Sequence, residues 1–304
     1  MGGSGTYNYD GNGNLLNEPY KGLSAISYNV LNRTDMISFS SSANRYIKYA
    51  YNASGTLIRK QQYDNVGGVA TLQTTTDYID GFVFTTAGAG TAALQYFNMP
   101  EGRVLNNAGT LSQEFTIADQ QGNVRIAFDN TGTGGIAKTR QENSYYTFGM
   151  IMPGSVVATP GNQNRNLYNG GSEWQNDYGN LPDYYQTFYR NYDAALGRWI
   201  GVDPKGESAE SMRGYQYAGN NPIMMNDPMG DVAVMGVVQQ HAGHEIDDMN
   251  QWLDTGGLQG GYGDGLPCRR RGWRSGFSQN KFDNLTAGLF ATREWSIKRW
   301  YNYY

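Results

Sequence analysis

The chain has 304 residues, 16% of them charged, and a formal net charge of -4. That length supports one or two domains with a real core, and the acidic balance gives the whole molecule no electrostatic reason to seek nucleic acid or an anionic membrane. A single cysteine, Cys268, excludes an internal disulfide framework and any multi-thiolate metal site.

The 24 tyrosines and 41 glycines, set against 9 prolines, predict many short strands joined by tight turns, because tyrosine favours strands and glycine supplies positive backbone angles. No basic segment followed by an apolar run opens the chain, since Met1-Gly2-Gly3-Ser4-Gly5 passes directly into Thr6-Tyr7-Asn8-Tyr9. Any export address is therefore expected elsewhere, as in a longer parent chain. No stretch reaches the roughly 20 apolar residues of a membrane span.

A short unit then recurs: an aromatic, Asp or Asn, two variable residues, Gly, one more, and an apolar residue. It reads Tyr9-Asp10-Gly11-Asn12-Gly13-Asn14-Leu15 and again Tyr51-Asn52-Ala53-Ser54-Gly55-Thr56-Leu57, with a degenerate copy at Tyr28-Asn29-Val30-Leu31-Asn32-Arg33. Each copy is expected to be a hairpin, with the Asp or Asn side chain capping the turn and Gly in the left-handed position. Between turns the strands alternate, so Ile47, Tyr49 and Tyr51 should share one face. Further turns are expected at Asp119-Gln120-Gln121-Gly122-Asn123 and at Phe128-Asp129-Asn130-Thr131-Gly132. Hairpins that cannot bury their own faces must stack, which predicts one continuous curled sheet.

Between 168 and 231 the texture changes to ordered Trp, Arg, Pro and paired Asp residues, read as a closing module. The remainder, 232–304, has three parts. His241-Ala242-Gly243-His244-Glu245 places two imidazoles and a carboxylate near one helical face, the pieces of either a zinc fragment or a general acid and base. No third histidine completes a three-histidine site, so no metal or cofactor is expected. A glycine-dense linker at 256–265 leads to a terminal stretch with eight Lys or Arg against two acidic residues. There Arg269, Arg270, Arg271, Trp273 and Arg274 interleave cations with an aromatic, which fits nucleic acid, anionic lipid or simply a solvated basic face.

The tyrosine-led units resemble YD repeats. Tyr189-Arg190-Asn191-Tyr192-Asp193-Ala194-Ala195-Leu196-Gly197-Arg198-Trp199-Ile200-Gly201-Val202-Asp203-Pro204 resembles the start of the core that closes RHS-repeat proteins, and Tyr215 to Asp231 resembles its end, finishing in Asn226-Asp227-Pro228-Met229-Gly230-Asp231. Phe97-Asn98-Met99-Pro100-Glu101-Gly102-Arg103-Val104 and Asn143 to Met150 resemble the Bacteroidota variety. The resemblance covers roughly 6–231 and implies a mainly β fold of stacked antiparallel hairpins. Residues 1–167 would form a YD-repeat sheet, 168–231 a plug, and 232–304 a variable tail, small and mixed or helical.

What the resemblance implies about function is the C-terminal part of a polymorphic toxin, secreted or on the cell surface. Its partners would be its own tail as enclosed cargo, an immunity-type protein, and nucleic acid if the tail acts there. In several family members the plug is an aspartyl autoprotease. Asp203 and Asp227 are the expected pair, each in an Asp-Pro turn, with Arg198 and Asp193 holding or tuning them, and the expected cut lies between Asp231 and Val232. Two close carboxylates do not ionise together easily, so one serves as acid while the other activates water. Asp-Pro pairs also start turns with no chemistry attached. Asp231 departs from the leucine usual in cleaving members, and a charge fits poorly in an apolar slot. The alternative from another class is a non-catalytic structural or adhesive surface protein.

Overall fold

The computed structural model describes residues 5–155, 163–179, 181–208 and 213–235. The residues singled out in the tail beyond these, His241, His244, Glu245 and the Arg269–Arg274 run, lie outside the described residues.

The fold begins with local turn chemistry. Asp10 Oδ1 accepts the backbone N–H groups of Asn12 and Asn14 at 2.9 and 2.7 Å, while Tyr9 and Leu15 bridge across. Asn52 Oδ1 does the same for Ser54 and Thr56 at 3.1 and 2.9 Å, and Asn29 Oδ1 for Leu31 and Arg33. Asp119 repeats the device with Gln121 and Asn123. In each turn the left-handed position falls where the unit places it, on Gly13, Gly55 and Gly122, and on Asn32 in the degenerate copy. The Asp129 turn differs: Gly132 is extended, and the left-handed residue is Gly135.

These turns join an antiparallel meander. Its strands are β1 (Leu23–Tyr28), β2 (Thr34–Phe39), β3 (Tyr46–Tyr51), β4 (Leu57–Val66), β5 (Val69–Ile79), β6 (Phe82–Ala87), β7 (Ala93–Met99), β8 (Gly102–Asn107), β9 (Thr110–Ala118), β10 (Val124–Asp129) and β11 (Lys138–Glu142). All eleven form one sheet in sequence order, open rather than closed into a barrel. Alternation is visible in β3, where Ile47 and Tyr49 are buried and Lys48 and Ala50 exposed.

A second sheet holds β12 (Asn166–Tyr168), β13 (Ser172–Gln175), β14 (Tyr184–Gln186), β15 (Asn191–Asp193) and β16 (Arg198–Trp199), again in sequence order. A two-stranded piece pairs β17 (Met225–Asn226) with β18 (Val234–Met235). Tyr184 and Ile200 from the second sheet region join Leu15, Leu23, Ile26, Ile37, Phe39, Ile47 and Tyr49 in one core. A second core is aromatic, with Tyr168, Trp174, Tyr185, Tyr192, Trp199 and Tyr217 packed together. Trp199 is thus a core residue, 2% exposed. No helix among the described residues is long and apolar enough to cross a membrane.

The two sheets are also joined by buried charge. Lys60 of β4 is 1% exposed, and its Nζ lies 3.0 Å from Glu173 Oε1 and 3.0 Å from Asp177 Oδ1. Arg165 reaches Asp177 at 3.0 Å, and the Tyr78 hydroxyl donates to Glu173 at 2.9 Å. Burial alone would push both carboxyls up, but Lys60 and Arg165 outweigh it and hold them below the ordinary range.

Candidate functional site

Three loops converge at the far end of the second sheet. After β16, Asp203 accepts the Lys205 N–H at 2.8 Å on Oδ1, an Asx turn that Pro204 makes rigid. After β17, Asp227 accepts the N–H groups of Gly230 and Asp231 on Oδ1 at 2.8 and 2.9 Å. Gly230 is left-handed, and a Cβ there would collide with Thr187 Oγ1 and press to 3.2 Å on Arg190 N, so the turn admits only glycine.

The third loop, between β14 and β15, supplies Arg190. Its Nη2 lies 3.0 Å from Asp203 Oδ2 and 3.3 Å from Asp227 Oδ2, so the two carboxylate oxygens are no further apart than those two distances end to end. Its Nε donates to Gly230 O at 2.6 Å and its Nη1 to Gly214 O at 2.9 Å, while the guanidinium lies over the Trp199 ring at 4.5 Å. One side chain therefore holds both carboxylates and the backbone that follows Asp227.

Asp227 is the more enclosed of the pair, its side chain 3% exposed against 19% for Asp203. Burial pushes the Asp227 carboxyl up to about 6, with the Asp231 charge adding to the rise, while Arg190 and the two N–H donors limit it. Its backbone is clamped as well. Asn169, buried and left-handed, accepts Asp227 N–H on Oδ1 at 2.8 Å and donates from Nδ2 to Asp227 O at 2.6 Å. Asn169 is itself held by the Tyr217 hydroxyl at 2.9 Å and by Asn123 Oδ1 at 2.7 Å. Gln121 donates from Nε2 to Pro222 O at 2.6 Å and Met225 O at 3.3 Å, and Asn226 donates from Nδ2 to Gln121 O at 2.9 Å, so a turn of the first sheet fixes the loop that carries Asp227.

Of the residues expected from sequence, Asp203 and Asp227 come together, but Arg198 and Asp193 do not join them. Arg198 is on the exposed side of β16, over Tyr215 at 5.3 Å, because strand alternation sends Trp199 inward and its neighbour outward. Asp193 is fully buried elsewhere, paired with Lys21 at 2.9 Å and capping a turn through the N–H groups of Ala195 and Leu196. Arg190 and Asn169, which do the holding, carry little signal of that role in the sequence; for Arg190 it is its place in the Tyr189–Pro204 stretch.

Asp193 belongs to a second acidic cluster. Glu18 is 1% exposed, contacts the Tyr184 hydroxyl, and is pushed up to about 7 by burial and then by the Asp193 charge. A folded value raised above the unfolded one favours folding fully below the unfolded value and loses that contribution as pH rises through the folded one. The chain is therefore expected to melt lower at pH 8 than at pH 5.5, and Glu18→Gln should remove roughly 2–3 kcal/mol of that dependence. Thermal unfolding at the two pH values checks it; an equal pH dependence in both proteins would contradict the assignment.

Asp231 has a 10% exposed side chain that meets Lys205 Nζ at 2.6 Å, and Val232 beyond it is exposed.

No protein-family model matches this chain, and no curated protein matches it. Among solved structures it is similar to the crystal structure of TcdB2-TccC3-Cdc42, with 18% identity, a TM-score of 0.60, and coverage of 73% of this chain and 11% of that one. It is also similar to the Photorhabdus luminescens Tc holotoxin pore carrying a TccC3 substitution, at 17% identity and a TM-score of 0.60 over 75% of this chain and 11% of that one. TcdB2-TccC3 without its hypervariable C-terminal region gives 17% identity and a TM-score of 0.56, covering 70% and 10%. These likenesses show a shared β-sheet fold, and the chain spans about a tenth of those chains.

Proposed function

We propose that this chain is the closing end of an RHS-type, toxin-associated β shell that hydrolyses its own Asp231–Val232 bond. The observation that carries the reading is one guanidinium nitrogen, Arg190 Nη2, shared by Asp203 and Asp227. In this reading 168–231 is a self-cutting plug, 232–304 is the cargo it releases, and an immunity-type protein protects the producer. Secretion by a route outside this chain completes the proposal.

The chemistry follows from the environments of the two carboxyls. Asp227, buried and raised, is the acid; Asp203, more open and held by Arg190, is the base. Asp203 takes a proton from water as its oxygen attacks the Asp231 carbonyl carbon. Asp227 gives its proton to the Val232 nitrogen as the C–N bond breaks. The products are a new carboxyl group on Asp231, which keeps the water's second proton, and a free amine on Val232, with Asp203 left protonated and Asp227 ionised. The reacting carbon is two bonds, ~2.5 Å, from the Asp231 nitrogen whose N–H Asp227 holds, so the scissile peptide sits beside the acid. Arg190, anchored to Gly230 O, keeps that strand in place and steadies negative charge.

Intact mass of the expressed chain over time tests this. Fragments 1–231 and 232–304 are expected, forming faster as pH falls from 7.5 through about 6, where Asp227 takes up its proton. A single intact mass at every pH would instead favour a non-catalytic shell.

A further inference from the structure

The dyad says how a bond would be cut; the neighbouring lysine says which bond. Lys205 follows Pro204 in the turn that presents Asp203, and its backbone N–H is bonded to the Asp203 carboxylate. Its amine reaches the side chain of Asp231 at 2.6 Å. The same residue therefore holds the base with its backbone and the residue before the scissile bond with its side chain.

Cations face the Asp231 side chain, although the Asp227 carboxyl lies on its backbone side and accepts its N–H at 2.9 Å. Besides Lys205, the Asp231 charge acts on Arg190 and on Arg33, whose guanidinium lies 4.4 Å from both the Phe188 and Tyr189 ring centroids. Tyr189 lies 5.9 Å from the Lys205 amine, and its N–H donates to Met229 O at 2.9 Å, tying this wall to the strand being cut. A leucine in place of Asp231 would bury apolar surface against an ammonium group and take away its counter-charge.

We propose that Lys205 is a specificity-determining residue that makes this self-cleavage selective for an acidic residue before the scissile bond. This rests on the self-cleavage reading above. Aspartate at 231 is then not a lesion in an apolar slot but the matched half of a pair, and the carboxylate–ammonium contact registers the Asp231 carbonyl against the Asp203–Asp227 pair.

The test follows cleavage of the full chain by intact mass at pH 5.5, with thermal unfolding to show each variant folded. Lys205→Met and Asp231→Asn are each expected to slow cleavage about two- to fivefold, the effect of losing one partner of a charge pair whose lysine is 41% exposed. The double variant Lys205→Met with Asp231→Leu should recover most of the rate, which a merely structural lysine would not produce. If the unaltered chain cuts, Asp227→Asn does not, and the two single variants cut at the unaltered rate, Lys205 has no such role while the dyad stands. If only the Met–Leu double variant cuts, the ion pair blocks the reaction, which overturns selectivity and keeps the dyad. If nothing cuts, the dyad reading and this proposal fall together.

Discussion

Asp227→Asn is expected to leave the chain whole, with the rate of fragment formation down by roughly 10²–10⁴-fold, the usual contribution of a positioned acid or base. The substitution keeps the shape of the side chain, and its Oδ1 can still accept the N–H groups of Gly230 and Asp231 that shape the turn. What it lacks is a proton to give to the leaving nitrogen. Its amide would also turn N–H groups toward Arg190 Nη2, a donor facing a donor where a carboxylate now accepts. Asp203→Asn should be equally silent for the other half of the reason, having no ionised oxygen to activate water. Mass spectrometry of both variants after incubation at pH 5.5, beside their melting curves, measures this. A folded Asp227→Asn protein that yields fragments at the unaltered rate would remove this carboxyl from the chemistry.

Lys60→Met should be the most damaging single change to stability, costing about 3–5 kcal/mol, because it leaves buried carboxylates without their main counter-charge. Asp177 is fully enclosed and Glu173 nearly so, and Arg165 alone would then face both. The pH dependence separates this mechanism from a packing defect. Both carboxyls are held below their unfolded values, so their contribution is present above the unfolded value and is lost as pH falls through the folded one. Without Lys60 the burial penalty dominates, their values rise, and acid relieves rather than harms the variant. The stability gap between the two proteins, measured by urea unfolding, should narrow from pH 7 to pH 4.5. A gap that stays constant would point to lost packing instead.

The parts legible in sequence are those whose physics is local. Asp10, Asn52 and Asp119 cap their own turns within four residues, and glycine follows at the left-handed position, so each hairpin is written in one short stretch. Asp203 and Asp227 were legible as a pair because each stands before proline in a turn. Arg190 was not, since its role depends on three loops meeting, and Arg198 is excluded from the site because its neighbour Trp199 faces inward. Asp193 misled for an instructive reason. With Tyr192 before it and left-handed Gly197 four residues after it, it stands in a frame one residue longer than that of Asp10 and caps its turn through the N–H groups of Ala195 and Leu196. The Lys60–Glu173–Asp177 network joins residues more than a hundred positions apart, and no periodicity announces it.

Every strand of the eleven-stranded meander pairs with the one made just before it. During synthesis, then, no strand has to wait for a distant mate, and the sheet can zip up behind the ribosome at the low entropic cost of short loops. Asp227 obeys the opposite rule. Its clamp, Asn169, hangs from Asn123 of a finished turn, and its guanidinium partner comes from yet another loop, so the acid is the last part to be seated. On the proposed self-cleavage reading, a site timed this way is born inactive and arms itself only when the wall around it is complete.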